Sequence, residues 1–248
     1  MQVRASQCDV DTPSGPMRTY AYAPVLEQGG QVPGLILYTE IFQQTEPMRR
    51  LAVQFASHGY LVMVPEIYHE FEPAGTVLGY EDAGKNKGIA YKTKKKLDHF
   101  DADAAAVVKA LQADGLCNGR VGAVGFCIGG HLSFRAAFQP GVKAAACFYA
   151  TDLHSKTLGE GNNADSLSPE RLKSISGEML MIWGRQDPHV PDDGRRLIYD
   201  ALRQNKVHFT WHEFNAVHAY MRDEGDRYDP AVARLCFHLS LDLFQRKL

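Results

Sequence analysis

The run Val121-Gly122-Ala123-Val124-Gly125-Phe126-Cys127-Ile128-Gly129-Gly130-His131 constrains this chain more than any other stretch. A short apolar segment of small and β-branched residues meets glycines around a cysteine. It then enters Leu132-Ser133-Phe134-Arg135-Ala136-Ala137, which reads as helix. A strand that turns at once into a helix holds the middle residue in a strained conformation, and glycines on both sides remove the clashes. Gly125-x-Cys127-x-Gly129 is therefore the pattern of a nucleophile elbow, with sulfur where oxygen is usual. A thiol there sits at a helix N-terminus, where partial positive charge favours thiolate and the Ile128 N–H is free to meet an oxyanion. On these residues alone, a buried structural cysteine in a glycine-rich turn fits equally well. The dinucleotide fingerprint Gly-x-Gly-x-x-Gly is absent.

Around the elbow, strands alternate with helices. Two candidate strands flank the turn-rich Asp11-Thr12-Pro13-Ser14-Gly15-Pro16 and suggest an edge hairpin. Gly34–Tyr38, Leu61–Pro65, Val142–Tyr149 and Glu178–Gly184 are apolar runs suited to strands buried on both faces, and Val207–Trp211 alternates like a strand. Helical spacing covers Glu46–Ser57, with Thr45 as N-cap and Pro47 in the first turn. It also covers Phe100–Ala113, Asp192–Gln204 and Pro230–Phe244. In Asp192–Gln204, Leu197, Ile198, Ala201 and Leu202 should face inward; in Pro230–Phe244, Val232, Leu235, Cys236, Leu239 and Leu243. Residues 66–96 read as a lid-like insertion with little regular structure before about residue 85. Its basic run Lys92-Thr93-Lys94-Lys95-Lys96 reads as a solvated helix face, with phosphate or acidic-substrate binding the minority alternative. Residues 152–177 read as polar loop with a short helical turn at Pro169–Lys173.

Composition narrows the partners. A formal net charge of −2 provides no basic field for nucleic acid or an anionic membrane. Five widely spaced cysteines, with no Cys-x-x-Cys, argue against a disulfide scaffold or a Cys-rich zinc site and for reduced thiols in a cytoplasmic setting. The N-terminus lacks the apolar core of a signal peptide, and no apolar run approaches the ~20 residues needed to cross a bilayer. At 248 residues, one α/β domain over 1–248 is expected.

A mostly parallel sheet of about eight strands, covered by helices on both faces, collects its functional groups past the carboxyl ends of the strands. There the sequence carries Thr39-Glu40-Ile41-Phe42, then Cys127, then Gly184-Arg185-Gln186-Asp187-Pro188-His189, then Asn215-Ala216-Val217-His218. Nucleophile, acid and histidine in that chain order are the arrangement of α/β-hydrolases. His218 suits a general base, and Asp187 suits the carboxylate that fixes its tautomer. Each also has a bland reading, His218 as a loop histidine and Asp187-Pro188 as a turn initiator. His69, His131 and His189 compete for the role of base; His131 is expected to pack behind the elbow, and His189 to sit on the acid loop.

Glu40-Ile41-Phe42, Pro65-Glu66-Ile67-Tyr68, Gly125-Phe126-Cys127-Ile128-Gly129-Gly130, Gly184-Arg185-Gln186-Asp187-Pro188-His189-Val190-Pro191 and His218-Ala219-Tyr220 together resemble the dienelactone hydrolase (carboxymethylenebutenolidase) family over nearly the whole chain. The resemblance implies a cysteine hydrolase that opens an enol-lactone, or cleaves a related activated small ester, through an acyl-thioester. It implies Cys127, Asp187 and His218 as the triad, and the N–H groups of Ile41 and Ile128 as the oxyanion hole. Glu40 would be a fourth catalytic group that receives the thiol proton; a buried carboxylate paired with an arginine is its alternative. Arg222 would hold the substrate carboxylate, with Tyr91 and Tyr149 lining the pocket. Where the family has a lid arginine, this chain has Lys85 and Lys87, and Lys87 is the expected replacement. Phe148 lies where members can carry another tyrosine, and Asp98 and His99 receive no role. The implied partner is a small carboxylate-bearing lactone or ester, with no metal or cofactor and a monomer or homodimer as the assembly. A broader carboxylesterase or thioesterase, and a non-catalytic thiol redox sensor, are the alternatives.

Overall fold

The computed structural model describes residues 1–27 and 29–248. Fifteen elements run in the order β1 (Val3–Thr12), β2 (Gly15–Pro24), β3 (Val32–Tyr38), α1 (Glu46–Ser57), β4 (Leu61–Pro65), α2 (Asp82–Lys94), α3 (Leu97–Ala113), β5 (Cys117–Phe126), α4 (Ile128–Ala136), β6 (Val142–Phe148), α5 (Pro169–Ser174), β7 (Glu178–Gly184), α6 (Asp192–Gln204), β8 (Phe209–Phe214) and α7 (Pro230–Lys247). The eight strands form one sheet in the order β1-β2-β4-β3-β5-β6-β7-β8. The β1–β2 hairpin and the β2–β4 pair are antiparallel, and every other pairing is parallel. This is the α/β-hydrolase architecture.

Strand periodicity divides the core in two. Ile36, Ala123, Ala145, Met181 and Trp183 point to a layer shared with Val107 and Leu111 of α3, Leu132 of α4 and Ile198 of α6. Their sequence neighbours Leu37, Val124, Ala146 and Ile182 point the opposite way, onto Met48 and Phe55 of α1 and Phe237 and Phe244 of α7. Successive strand residues alternate faces, so an all-apolar strand feeds both layers.

The helices differ from expectation at several positions. Leu197 of α6 and Leu235 of α7 are exposed, because the inward stripes are carried by Ile198 and Leu202 and by Cys236, Leu241 and Phe244. β8 lies later than the alternation suggested, at Phe209–Phe214. Helix α2 begins at Asp82 rather than near residue 85. The lysine run is not a solvated face. Lys95 is fully buried, its Nζ donating to the Ile67 carbonyl at 2.9 Å and to Asp103 Oδ2 at 2.5 Å, with Glu70 Oε1 at 3.0 Å. Lys92 is paired with Asp152 through contacts of 2.7 and 2.8 Å. Residues three apart share a helix face, so alternate members of a basic run can turn inward when acids wait there. His99, unassigned from sequence, bonds Glu70 at 2.8 Å in the same network.

Candidate active site

The elbow is built by close backbone approach. Cys127 lies between β5 and α4 at φ 61° and ψ −122°. A Cβ on Gly125 would sit 1.9 Å from the Gly129 carbonyl oxygen, and one on Gly129 would sit 2.3 Å from that of Tyr38. Only glycine lets the turn close this tightly onto β3. The Cys127 N–H donates to the Phe148 carbonyl at 3.1 Å, and its carbonyl accepts from Gly130 N–H at 3.0 Å and Thr151 N–H at 3.3 Å. The strained residue is thus pinned on both sides. Cys117, Cys147 and Cys236 are buried, and burial raises each thiol pKa, that of Cys236 to about 12. Cys127 is half-exposed and lines a cleft of about 440 Å³.

His218 and Glu40 line the same cleft, and Asp187 stands behind the histidine. His218 Nδ1 is 2.7 Å from Asp187 Oδ2, and the other Asp187 oxygen accepts the His189 N–H at 2.8 Å. Burial opposes charge on His218. The Cys127 sulfur and the Asp187 carboxylate outweigh it and raise the imidazole to about 10. Two aromatic rings fix the imidazole plane edge-on, Tyr149 at 4.9 Å and His189 at 4.6 Å between centroids. Glu40 is buried, and burial raises its pKa against the pull of Arg222, His218 and Arg227. Arg222 Nη1 donates to Glu40 Oε2 at 3.4 Å, while its guanidinium lies 4.4 Å from the Tyr80 ring centroid. Ile41, in the turn after β3, has an N–H without a partner among the described residues. Ile128 opens α4, where no preceding helical turn accepts its N–H.

The substrate-binding expectations fare unevenly. Arg222 lines the cleft. Lys87 does not: it pairs with Glu72, which is also outside the cleft. Tyr91 also turns away, stacking on Phe71 at 5.0 Å and donating its hydroxyl to Glu72 at 2.6 Å. Tyr149 is fully buried behind His218 and supports the imidazole rather than lining the opening. The cleft is instead walled by Tyr80, Lys85, Ile89, Lys92, Asp152 and Arg227. Sequence reading offered no reason to single out Asp152 in a polar loop or Tyr80 in the insertion. His131 is buried, with Nδ1 2.9 Å from the Thr151 carbonyl and Nε2 2.6 Å from Ser166 Oγ.

His69, Glu70 and Asp103 gather closely enough to suggest cation ligands, yet the Lys95 ammonium already stands against both carboxylates. No helix among the described residues is long and apolar enough to cross a membrane.

The family model for the dienelactone hydrolase family matches residues 17–248. A Saccharomyces cerevisiae protein assigned by name to the carboxymethylenebutenolidases is 42% identical over 253 residues, covering 97% of this chain and 90% of that protein. The carboxymethylenebutenolidase of Pseudomonas putida is 27% identical, with coverage of 85% and 84%. A Klebsiella pneumoniae crystal structure described as a dienelactone hydrolase superposes with a TM-score of 0.84 at 22% identity, over 99% of each chain, and supports the fold. An elbow at the end of β5, facing an acid and a histidine at the ends of β7 and β8, accords with these matches, and the chain belongs to the dienelactone hydrolase family of ester hydrolases.

Proposed function

We propose that the chain, acting as one catalytic unit, opens a carboxylate-bearing enol-lactone or cleaves a related activated small ester, with Cys127 as nucleophile. The observation that carries this reading is the half-exposed thiol on its strained turn, set in one cleft with the Asp187–His218 pair and buried Glu40. The Cys127 sulfur attacks the carbonyl carbon, and the carbonyl π electrons move to oxygen, where the N–H groups of Ile41 and Ile128 receive the charge. Collapse expels the enolate and leaves an acyl-thioester. With the sulfur acylated and its charge no longer holding the imidazolium, His218, oriented by Asp187, takes a proton from water, which attacks the thioester, and passes that proton to the leaving thiolate. Glu40, released from Arg222 when a substrate carboxylate competes for the guanidinium, accepts the thiol proton at the start and gives it to the expelled enolate. A thiolate suits an activated ester, because its leaving group departs without protonation. The reading places the protein in the cytoplasm with its thiols reduced, as a monomer or homodimer.

Hydrolysis of a carboxymethylene-butenolide at neutral pH, beside a neutral p-nitrophenyl ester, tests it, with Cys127→Ala as control. The expected result is preference for the charged lactone and loss of turnover in the variant. Turnover that survives in Cys127→Ala would sink the assignment. Thiol-dependent turnover of the neutral ester alone would select a broader esterase, the reading favoured by one observation: Lys87 is held by Glu72 outside the cleft.

A further inference from the structure

The inward surface of α2 over its first two turns is two glycines. Gly84 and Gly88 are its buried residues there, one helical turn apart, while Asp82, Lys85 and Ile89 are exposed. A glycine inside a helix costs about 1 kcal/mol relative to alanine, and what it offers in return is close approach. At Gly88 the approached group is Ile41: a Cβ there would lie 2.5 Å from the Ile41 carbonyl oxygen and 3.0 Å from the Ile41 Cβ. The helix backbone therefore rests directly on the residue, just past β3, whose N–H has no partner among the described residues.

Neither side of this contact can easily give. The Ile41 turn is held by Gln43 N–H on the Glu40 carbonyl at 3.2 Å, by Leu78 N–H on the Phe42 carbonyl at 3.0 Å, and by Gln43 itself at φ 63°. Helix α2 is held by the buried Tyr68 hydroxyl, which donates to the Gly88 carbonyl at 3.1 Å, and further along by Lys92 on Asp152. Just beyond its C-terminus, Lys95 is held by Asp103.

We propose that Gly88 is a positioning residue for the oxyanion hole: the backbone of α2 sets the Ile41 N–H, so that the lid helix is part of the catalytic frame. The proposal rests on the reading of Ile41 as an oxyanion donor. A shift of a few tenths of an ångström at Ile41 moves that N–H off the position the oxyanion will occupy, where donor geometry decides its value. It leaves Cys127, His218 and Asp187, on other strand ends, where they are.

The test compares Gly88→Ala and Tyr68→Phe with wild type in three measurements. The first is kcat and KM for an ester that wild type turns over. The second is the affinity of an aldehyde analogue of the substrate acid. With it the Cys127 sulfur forms a bond to the carbonyl carbon and the π pair moves to oxygen, seating that oxygen in the hole; the thiol proton passes to the enzyme's base. The third is the rate of Cys127 alkylation by iodoacetamide, in which iodide leaves and no oxyanion develops. Gly88→Ala is expected to lower kcat about 100-fold and weaken the aldehyde by the same factor. KM should hold within about threefold and alkylation within about twofold. Tyr68→Phe, which removes only a hydroxyl, should lower kcat and aldehyde affinity together by about fivefold. Near-wild-type kcat in Gly88→Ala would overturn the proposal, as would lost kcat with undiminished aldehyde affinity, or alkylation falling in step with kcat. If Gly88→Ala does not fold, Tyr68→Phe decides alone by the same criteria. Failure of the underlying functional reading shows separately, as activity that survives Cys127→Ala or an aldehyde that wild type does not bind.

Discussion

Glu40 and Arg222 each answer to two competing influences. Glu40 is buried and raised in pKa, yet it is close to a guanidinium that stabilises its charge. Arg222 is shared between that carboxylate and the face of Tyr80. At 3.4 Å the pair is long for a charge-assisted hydrogen bond, so a substrate carboxylate that binds Arg222 in the fork geometry competes well. Two substitutions separate the roles. Glu40→Gln keeps the volume and removes the proton acceptor; kcat should fall by roughly 100-fold while KM changes little. Unchanged turnover would return Glu40 to a structural role. Arg222→Ala should raise KM for an acidic lactone about tenfold more than for a neutral ester. Equal effects on the two substrates would remove it as the carboxylate ligand.

The elements show what periodicity can and cannot convey. α1 and β7 lie where apolar spacing placed them, because each turns apolar residues to the core; Thr45 stands at the N-cap of α1 but makes no side-chain capping bond. That Cys127, Asp187 and His218 would come together was legible for a related reason: each stands just past a strand, and in a parallel sheet strand ends converge. The packing of α2 was not legible, since its buried residues are Gly84 and Gly88 and leave no apolar period to read. Lys92 and Lys95 look like solvent-facing residues until Asp152 and Asp103, 60 and 8 residues away, are brought against them. Lys87 lies outside the cleft for the same reason, because Glu72 pairs with it there. The junction of α2 and α3 carries its own test. Lys95→Met leaves Asp103 and Glu70 without their ammonium, and should cost about 3–5 kcal/mol in denaturant unfolding. Adding Asp103→Asn should recover part of that loss, because neighbouring members of one network are not additive. A single variant of wild-type stability would show that His69 and His99 already neutralise the acids.

Across the whole molecule, two buried histidines titrate in opposite directions and bracket the pH of greatest stability. His131, behind the elbow, is pushed down to about 3 by burial and by Arg135, so it stays neutral in the fold while the unfolded chain protonates it near 6.5. Its folded value is depressed, so its contribution is present above about 6.5 and is lost as pH falls from there towards 3. His218 is raised to about 10, so the folded state holds its proton more tightly, and its contribution is full below about 6.5 and is lost as pH rises through 10. Carboxylates such as Asp152, lowered to about 2 by Lys92 and its hydroxyl donors despite burial, act only below the ordinary carboxylate range. The interval from pH 6.5 to 5 therefore sets His131 apart from Asp152, although His189, which burial also lowers, and Glu40, which burial raises, contribute to the same limb, so His131 is read there by the difference between variant and wild type. There, His131→Gln should reduce the slope of unfolding free energy against pH by about 1.4 kcal/mol per unit, the equivalent of one proton. His218→Gln should leave that limb alone and flatten the alkaline one, and Cys127→Ala should reduce the alkaline limb in part, since the sulfur is one of the charges that raises His218. Urea unfolding of the three variants at half-unit intervals between pH 5 and 9 measures all of this. An acid limb undiminished in His131→Gln would mean that the imidazole behind the elbow is already protonated in the fold. The Thr151 carbonyl and Ser166 hydroxyl would then both accept hydrogen bonds from an imidazolium, in place of the one donor and one acceptor of a neutral ring.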